Sequence, residues 1–218
     1  LRKNGCEVVL PKNQVCCGAL NIHNGETVAA KEMARRNIDA FLAVDLDAII
    51  VNAAGCGAAM KEYGHLLHDD SAYAEKARRF AGIVRDASEF LFDIGMIPPA
   101  GPVNITVTYQ DPCHLAHGQK IRSQPRALLQ KIPGIRLVEM NTPDRCCGSA
   151  GIYNITHAAM SQALLEEKMR SVAATGAAAV VAPNPGCMLQ LRHGAKRYGP
   201  RSEVYHLMDL LDRAYGAA

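Results

Sequence analysis

Cys146-Cys147-Gly148-Ser149-Ala150-Gly151 repeats a triplet that already stands in the first half of the chain as Cys16-Cys17-Gly18. Aligning the two triplets decides the fold. Cys56 follows Cys17 by 39 residues and Cys187 follows Cys147 by 40, so the copies are offset by 130 positions at the triplets and 131 at the later cysteines. The flanks agree. Strand-like runs precede the triplets at residues 6–10 and 135–140. Helical spacing follows each triplet, through Ala34, Ile38, Phe41 and Leu42 in one copy and Met160, Leu164, Leu165, Met169 and Val172 in the other. Next come short apolar runs of buried-strand type, 48–51 and 178–182. Each ends in a turn into a cysteine, Asn52-Ala53-Ala54-Gly55-Cys56 and Asn184-Pro185-Gly186-Cys187, and a helix is expected after each.

The remaining segments extend the pattern. Phe80, Ile83, Val84, Ala87, Phe90, Leu91 and Ile94 predict one helix, closed by Pro98-Pro99. Residues 103–109 predict a strand that runs into Asp111-Pro112-Cys113-His114, with a helix from about 124 to 131. Strands alternating with helices make parallel βαβ units. The expected fold is therefore α/β, with two tandem repeats at 1–101 and 102–218, each a mainly parallel sheet flanked by helices. Loops at the C-terminal ends of such strands share one sheet edge, where sites collect. Every motif cysteine falls there. Cys113 precedes Cys146 by 33 residues, and its counterpart in the first copy would lie about 17 positions upstream of Leu1. The first repeat is thus expected to lack its leading cysteine.

Bulk composition narrows the function. With 49% hydrophobic and 21% charged residues over 218 positions, the chain can bury a core and is not of disordered type. A net charge of +3 with no run of five Lys or Arg argues against a nucleic-acid partner. No apolar stretch approaches the ~20 residues of a transmembrane segment. Eight cysteines in a chain of long regular elements suit ligands or redox groups of a cytoplasmic protein better than a disulfide framework.

Soft metals take thiolates, and four thiolates hold an iron–sulfur cluster. The second copy offers four, Cys113, Cys146, Cys147 and Cys187; the first offers Cys16, Cys17 and Cys56. Adjacent cysteines suit a centre with several irons better than one small ion, and Gly18 and Gly148 let the backbone turn sharply beside it. Ferredoxin spacing is absent. Zinc is the alternative, with His114 or His23 as a possible extra ligand. Cys6, which aligns with Arg136, is assigned to packing, as are the Met and Leu stripes of the helices. His117, His157 and His193 are ordinary surface or loop residues. Lys12 and Arg145 stand near the triplets, where positive charge would favour thiolates. No Gly-x-Gly-x-x-Gly loop follows a strand, and no Ser/His/Asp set is present, so no catalytic residue is assigned.

The chain resembles the cysteine-rich CCG domain family at Gln14-Val15-Cys16-Cys17-Gly18-Ala19-Leu20, Ala54-Gly55-Cys56-Gly57, Lys61-Glu62-Tyr63-Gly64 and Asp111-Pro112-Cys113-His114-Leu115. It does so again at Cys146-Cys147-Gly148-Ser149-Ala150-Gly151-Ile152-Tyr153-Asn154 and Asn184-Pro185-Gly186-Cys187. The likeness covers essentially the whole chain and is strongest to iron–sulfur subunits of the glycolate oxidase type; the cysteine-rich subunits of heterodisulfide reductases are related. It implies an electron-transfer subunit that takes electrons from a flavin-containing catalytic subunit oxidising a 2-hydroxy acid. That complex would be cytoplasmic and peripheral to the inner membrane. In heterodisulfide reductase relatives each complete motif ends in Cys-x-x-Cys and holds a non-cubane four-iron cluster. Here Ala59 and Gln190 occupy that last position, which leaves open a four-thiolate cluster, zinc, or a metal-free remnant. Three functions remain: an iron–sulfur electron-transfer module, a zinc-bound or metal-free docking module for the flavin subunit, and a thiol–disulfide site.

Overall fold

The computed structural model describes residues 1–216. The chain forms two compact units, Leu1–Phe90 and a second from Leu91 onward.

After a single 3-10 turn at Arg2–Asn4, the first unit contains α1 (Ala19–His23), α2 (Thr27–Leu42), β1 (Ile49–Val51), α3 (Ala54–Lys61), α4 (Tyr63–Leu66), α5 (Ala74–Ile83) and β2 (Val84–Asp86). It leads into α6 (Ala87–Asp93). β1 and β2 pair in parallel, Ile49 opposite Val84 and Val51 opposite Asp86. The core gathers Ile38 of α2, Tyr63 of α4 and Phe80 of α5, with Tyr63 stacked on Phe80 at 5.2 Å.

Two expectations fail here. The single helix read through Ile94 is interrupted by β2. Its apolar residues suit a helix face and a buried strand equally, and the ladder to β1, with Val84 fully buried, decides for the strand. Residues 6–10 form no strand. Their counterpart in the second unit bonds to a neighbouring strand. Among the described residues the first unit's sheet consists of β1 and β2 alone, residues 6–10 do not add to either edge of it, and Leu10 stays 76% exposed.

The second unit is a four-stranded parallel sheet in the order β4-β3-β5-β6. Its elements are β3 (Ile105–Tyr109), α7 (Ser123–Gln130), β4 (Ile135–Leu137), α8 (Tyr153–Thr156), α9 (Ala158–Ala173), β5 (Ala179–Val181), α10 (Pro185–Tyr198), β6 (Glu203–Tyr205) and α11 (Leu207–Gly216), with a π-helical turn at His114–Gly118. β5 lies between two parallel neighbours and all three of its residues are buried, which is why its sequence runs Ala-Val-Val without alternation. α9 and α10 cover one face through Leu165, Met169, Val172 and Leu191. They cross closely because residue 194 is glycine: a Cβ there would lie 2.7 Å from Met169 Cγ. Met160 departs from the expected core stripe and is 55% exposed. The α/β class with parallel sheets and flanking helices is as expected. No helix among the described residues is long and apolar enough to cross a membrane.

Candidate metal centre

In a parallel sheet every strand ends at the same edge, so the loops after β3, β4 and β5 meet. Cys113 opens the π turn after β3, Cys146 and Cys147 lie in the loop after β4, and Cys187 sits in the first turn of α10 after β5. The three strands are neighbours. Backbone and side chain tie the loops together: Asp111 N donates to Pro143 O at 3.0 Å, and Gln110 Nε2 donates to Arg145 O at 3.2 Å.

Three thiols form a relay. Cys146 donates to Cys147, and Cys147 donates to Cys187. Donation to Cys147, with burial, pushes the Cys146 thiol up. Cys147 is drawn down by accepting from Cys146, but its own donation to Cys187 and its burial prevail and raise it to about 12. Cys187 is lowered, first by the proton offered from Cys147 and further by Asn184 Nδ2 at 3.4 Å. Cys113 completes the set. Burial raises its thiol, the charge of Cys146 raises it further, and it acts in turn on Cys187. His114 Nδ1 lies 3.6 Å from Cys113 Sγ.

The first unit repeats the relay with three members. Cys16 donates to Cys17, and Cys17 donates to Cys56 in the first turn of α3. This donation, with burial, pushes Cys17 up and holds Cys56 down at about 7. Cys6 stands apart from this set, its Sγ 3.9 Å from Asn4 O. All eight cysteines are free thiols.

The glycine of each triplet is required by its geometry. Gly18 and Gly148 have φ of 76° and 89°, and each backs onto the following long helix at matching positions, Ala30 of α2 and Ser161 of α9. Ser161 Oγ donates to Gly148 O at 2.8 Å and itself accepts from Gln190 Nε2 at 3.0 Å. Gln190, where related motifs place a cysteine, therefore braces the triplet through Ser161. In the first unit Tyr63 Oη donates to Cys17 O at 2.9 Å. Asn37 uses its whole amide there, donating to Cys16 O and Tyr63 Oη and accepting from Val15 N.

Two side chains escaped the sequence reading. Arg126 of α7 grips Asp111 with two hydrogen bonds of 2.9 Å and Glu139 with bonds of 2.7 and 3.0 Å, and lies 4.8 Å from the Tyr109 ring centre. It thus braces the loops that carry Cys113 and the second triplet. Lys168 of α9 is fully buried, and its charge reaches Cys146 and Cys147. Its signal is a lysine at a core-facing position, three residues after Leu165 and four before Val172. Arg145, beside the second triplet, pairs with Glu167.

The donors suit an iron–sulfur centre in kind: four soft thiols on one edge, Cys147 and Cys187 buried and Cys113 and Cys146 half-buried. Their arrangement suits a single ion less well. Among the described residues no three His, Cys, Asp or Glu side chains gather about one ion-sized point. A centre with several irons spans more space and asks less convergence. A cleft of about 680 Å³ in the first unit, lined by Lys12, Gln14, Arg36 and Asp39, contains no thiol and is separate from this chemistry.

The family model of the cysteine-rich domain named CCG matches residues 1–61 and 107–192. The chain is 46% identical over 220 residues to the probable glycolate oxidase iron-sulfur subunit of Bacillus subtilis (strain 168), covering 99% of this chain and 50% of that protein. It is 35% identical over 216 residues to a subunit of the fumarate reductase (CoM/CoB) of Methanothermobacter marburgensis, covering 99% and 42%. Lactate utilization protein A of Shouchella clausii is 28% identical over 213 residues, covering 97% and 88%. The chain thus spans about half the length of the first of these relatives, 50%.

Proposed function

Because the chain belongs to the cysteine-rich CCG domain family, we propose that it is an electron-transfer module of a 2-hydroxy acid oxidoreductase of the glycolate oxidase type. On this reading Cys113, Cys146, Cys147 and Cys187 hold an iron–sulfur centre in the second repeat, 102–218. Cys16, Cys17 and Cys56 form a related three-thiol set in the first, 1–101. The observation that carries the reading is the meeting of four thiols, from the ends of three neighbouring parallel strands, on one sheet edge.

When bound, such a centre supplies one-electron redox chemistry. The chain's own residues hold and shelter it. The four cysteines serve as thiolates. Gly148 and Gly186 let backbone approach: a Cβ on Gly186 would meet Ser149 Oγ at 2.9 Å. Burial of Cys147 and Cys187 excludes water, and Arg126 fixes the loops. The chemistry of the hydroxy acid belongs to a flavin-containing partner subunit, which passes its electrons here. The assembly works in the cytoplasm, peripheral to the inner membrane.

The test is anaerobic reconstitution with iron and sulfide, followed by assay of both and by electron paramagnetic resonance. A brown protein with iron and acid-labile sulfide, lost on Cys113→Ser or Cys187→Ser, supports the reading. A colourless protein with about one zinc per repeat would replace it with the docking module.

A further inference from the structure

Lys168 has no exposed surface. Its Nζ donates to Thr142 O at 2.5 Å and Pro143 O at 3.4 Å, and lies 3.8 Å from Met140 Sδ. Thr142 and Pro143 lead directly into the second triplet, and Met140 packs in the same core cluster as Cys147 and Cys187. Among the described residues no carboxylate lies within ion-pair distance of this ammonium. The charged residues on the loop it holds and beside it on α9 are solvated and otherwise engaged: Asp144 faces Arg122 and His117, Arg145 faces Glu167, and Arg170 faces Glu166. Burying a cation against carbonyl dipoles alone is costly, and a buried charge normally has a counter-charge. The negative charges that reach it are, in order, those of Cys147, the solvated Asp144 carboxylate and Cys146, so the buried group facing it first is a thiol of the triplet.

The first unit provides an internal comparison. α2 and α9 are both 16 residues long, and the 131-residue offset places Asn37 where Lys168 stands. Both side chains are buried, and both brace the segment entering the triplet through backbone hydrogen bonds. Bracing is therefore common to the two positions. What Lys168 adds is charge, and it adds it at the unit whose motif set has four cysteines, Cys113, Cys146, Cys147 and Cys187.

Resting on the iron–sulfur reading above, we propose that Lys168 is a positioning residue that sets the reduction potential of the centre in the second unit. One electron enters from a low-potential one-electron donor, and no bond is made or broken. Burial lowers the Lys168 pKa to about 8, so below that pH the added negative charge faces an ammonium in a poorly screened interior, the reduced form is favoured and the potential is raised.

The experiment compares the chain with its Lys168→Gln, Lys168→Met and Lys168→Arg variants after anaerobic reconstitution. Iron and sulfide are counted, and the potential is measured by dithionite titration followed by electron paramagnetic resonance. The neutral variants are expected to load normally. Their equilibrium constant for reduction should fall by about tenfold, which is about 59 mV for a one-electron couple. Lys168→Arg should restore the parent potential. Neutral variants that fail to load while Lys168→Arg loads would overturn the proposal, by assigning the charge to assembly of the centre and not to its potential. An unmoved potential in Lys168→Gln, a Lys168→Arg potential as low as that of the neutral variants, or failure of all three to load would overturn it. A parent chain without iron and sulfide would overturn the iron–sulfur reading itself, and this inference with it.

Discussion

A Cβ added to Gly148 would lie 2.4 Å from the carbonyl oxygen of Ser161, so the second triplet packs directly on the backbone of α9. Gly148 also has φ of 89°. Gly148→Ala therefore has to move the triplet and adopt a strained backbone together. It should destabilise the second unit by about 2 kcal/mol or more. It should also lower iron and sulfide uptake. Urea denaturation and metal assay check both, and parent-like values would show that the close approach is dispensable. Gly18→Ala should be milder, because its Cβ would meet Ala30 Cα at 3.3 Å.

Arg126→Met tests the brace across the two loops. Asp111 is 2% exposed and would lose the guanidinium that holds both its oxygens. Removing one partner of a buried pair typically costs about 3–5 kcal/mol. A loss of this size in urea denaturation is expected, with weaker retention of iron during gel filtration. Asp111→Asn together with Arg126→Met should recover part of the loss, since no buried carboxylate is then stranded.

A pH dependence is expected from Asp86, at the end of β2. Burial raises its carboxyl pKa, although Ser88 N and Oγ donate to Oδ1 at 2.8 and 2.5 Å. A carboxyl raised in the folded state contributes its stability fully below the unfolded pKa, about 3.9, and loses it as pH rises through the folded pKa. At neutral pH the buried carboxylate is thus a cost. Asp86→Asn keeps the acceptor for Ser88 and removes the charge. It should melt above the parent at pH 7, with the gap closing as pH falls toward 4. Melting curves that differ equally at all pH values would exclude this assignment.

Much of this architecture is legible from the repeat. The offset of 130 to 131 positions aligns the triplets, the helices α2 and α9, and the strands β1 and β5 without any coordinates. It also separates Cys6, whose partner position is Arg136, from the thiol sets. What the sequence does not reveal is pairing. Residues 6–10 look as strand-like as 135–140, but a strand exists only where a neighbour can accept its hydrogen bonds. Val84 fits a helix stripe until Ile49 is found opposite it. β6, with three residues, is too short to show a period, whereas Leu207, Leu210, Leu211 and Ala214 do carry the helical spacing of α11. Lys168 and Arg126 were missed for another reason. Charged residues on helices are ordinarily solvated, and only the packed fold shows which ones face inward.

On the proposed function, four thiols of the second unit hold an iron–sulfur centre. The most direct measurement is the iron and acid-labile sulfide content of the anaerobically reconstituted chain beside its Cys113→Ser, Cys146→Ser, Cys147→Ser, Cys187→Ser and Cys6→Ser variants. Iron and sulfide are expected in the parent and in Cys6→Ser, with the second unit's centre lost in each of the other four. A parent chain that stays colourless and free of iron and sulfide, or one whose content is unaffected by those four substitutions, would contradict it.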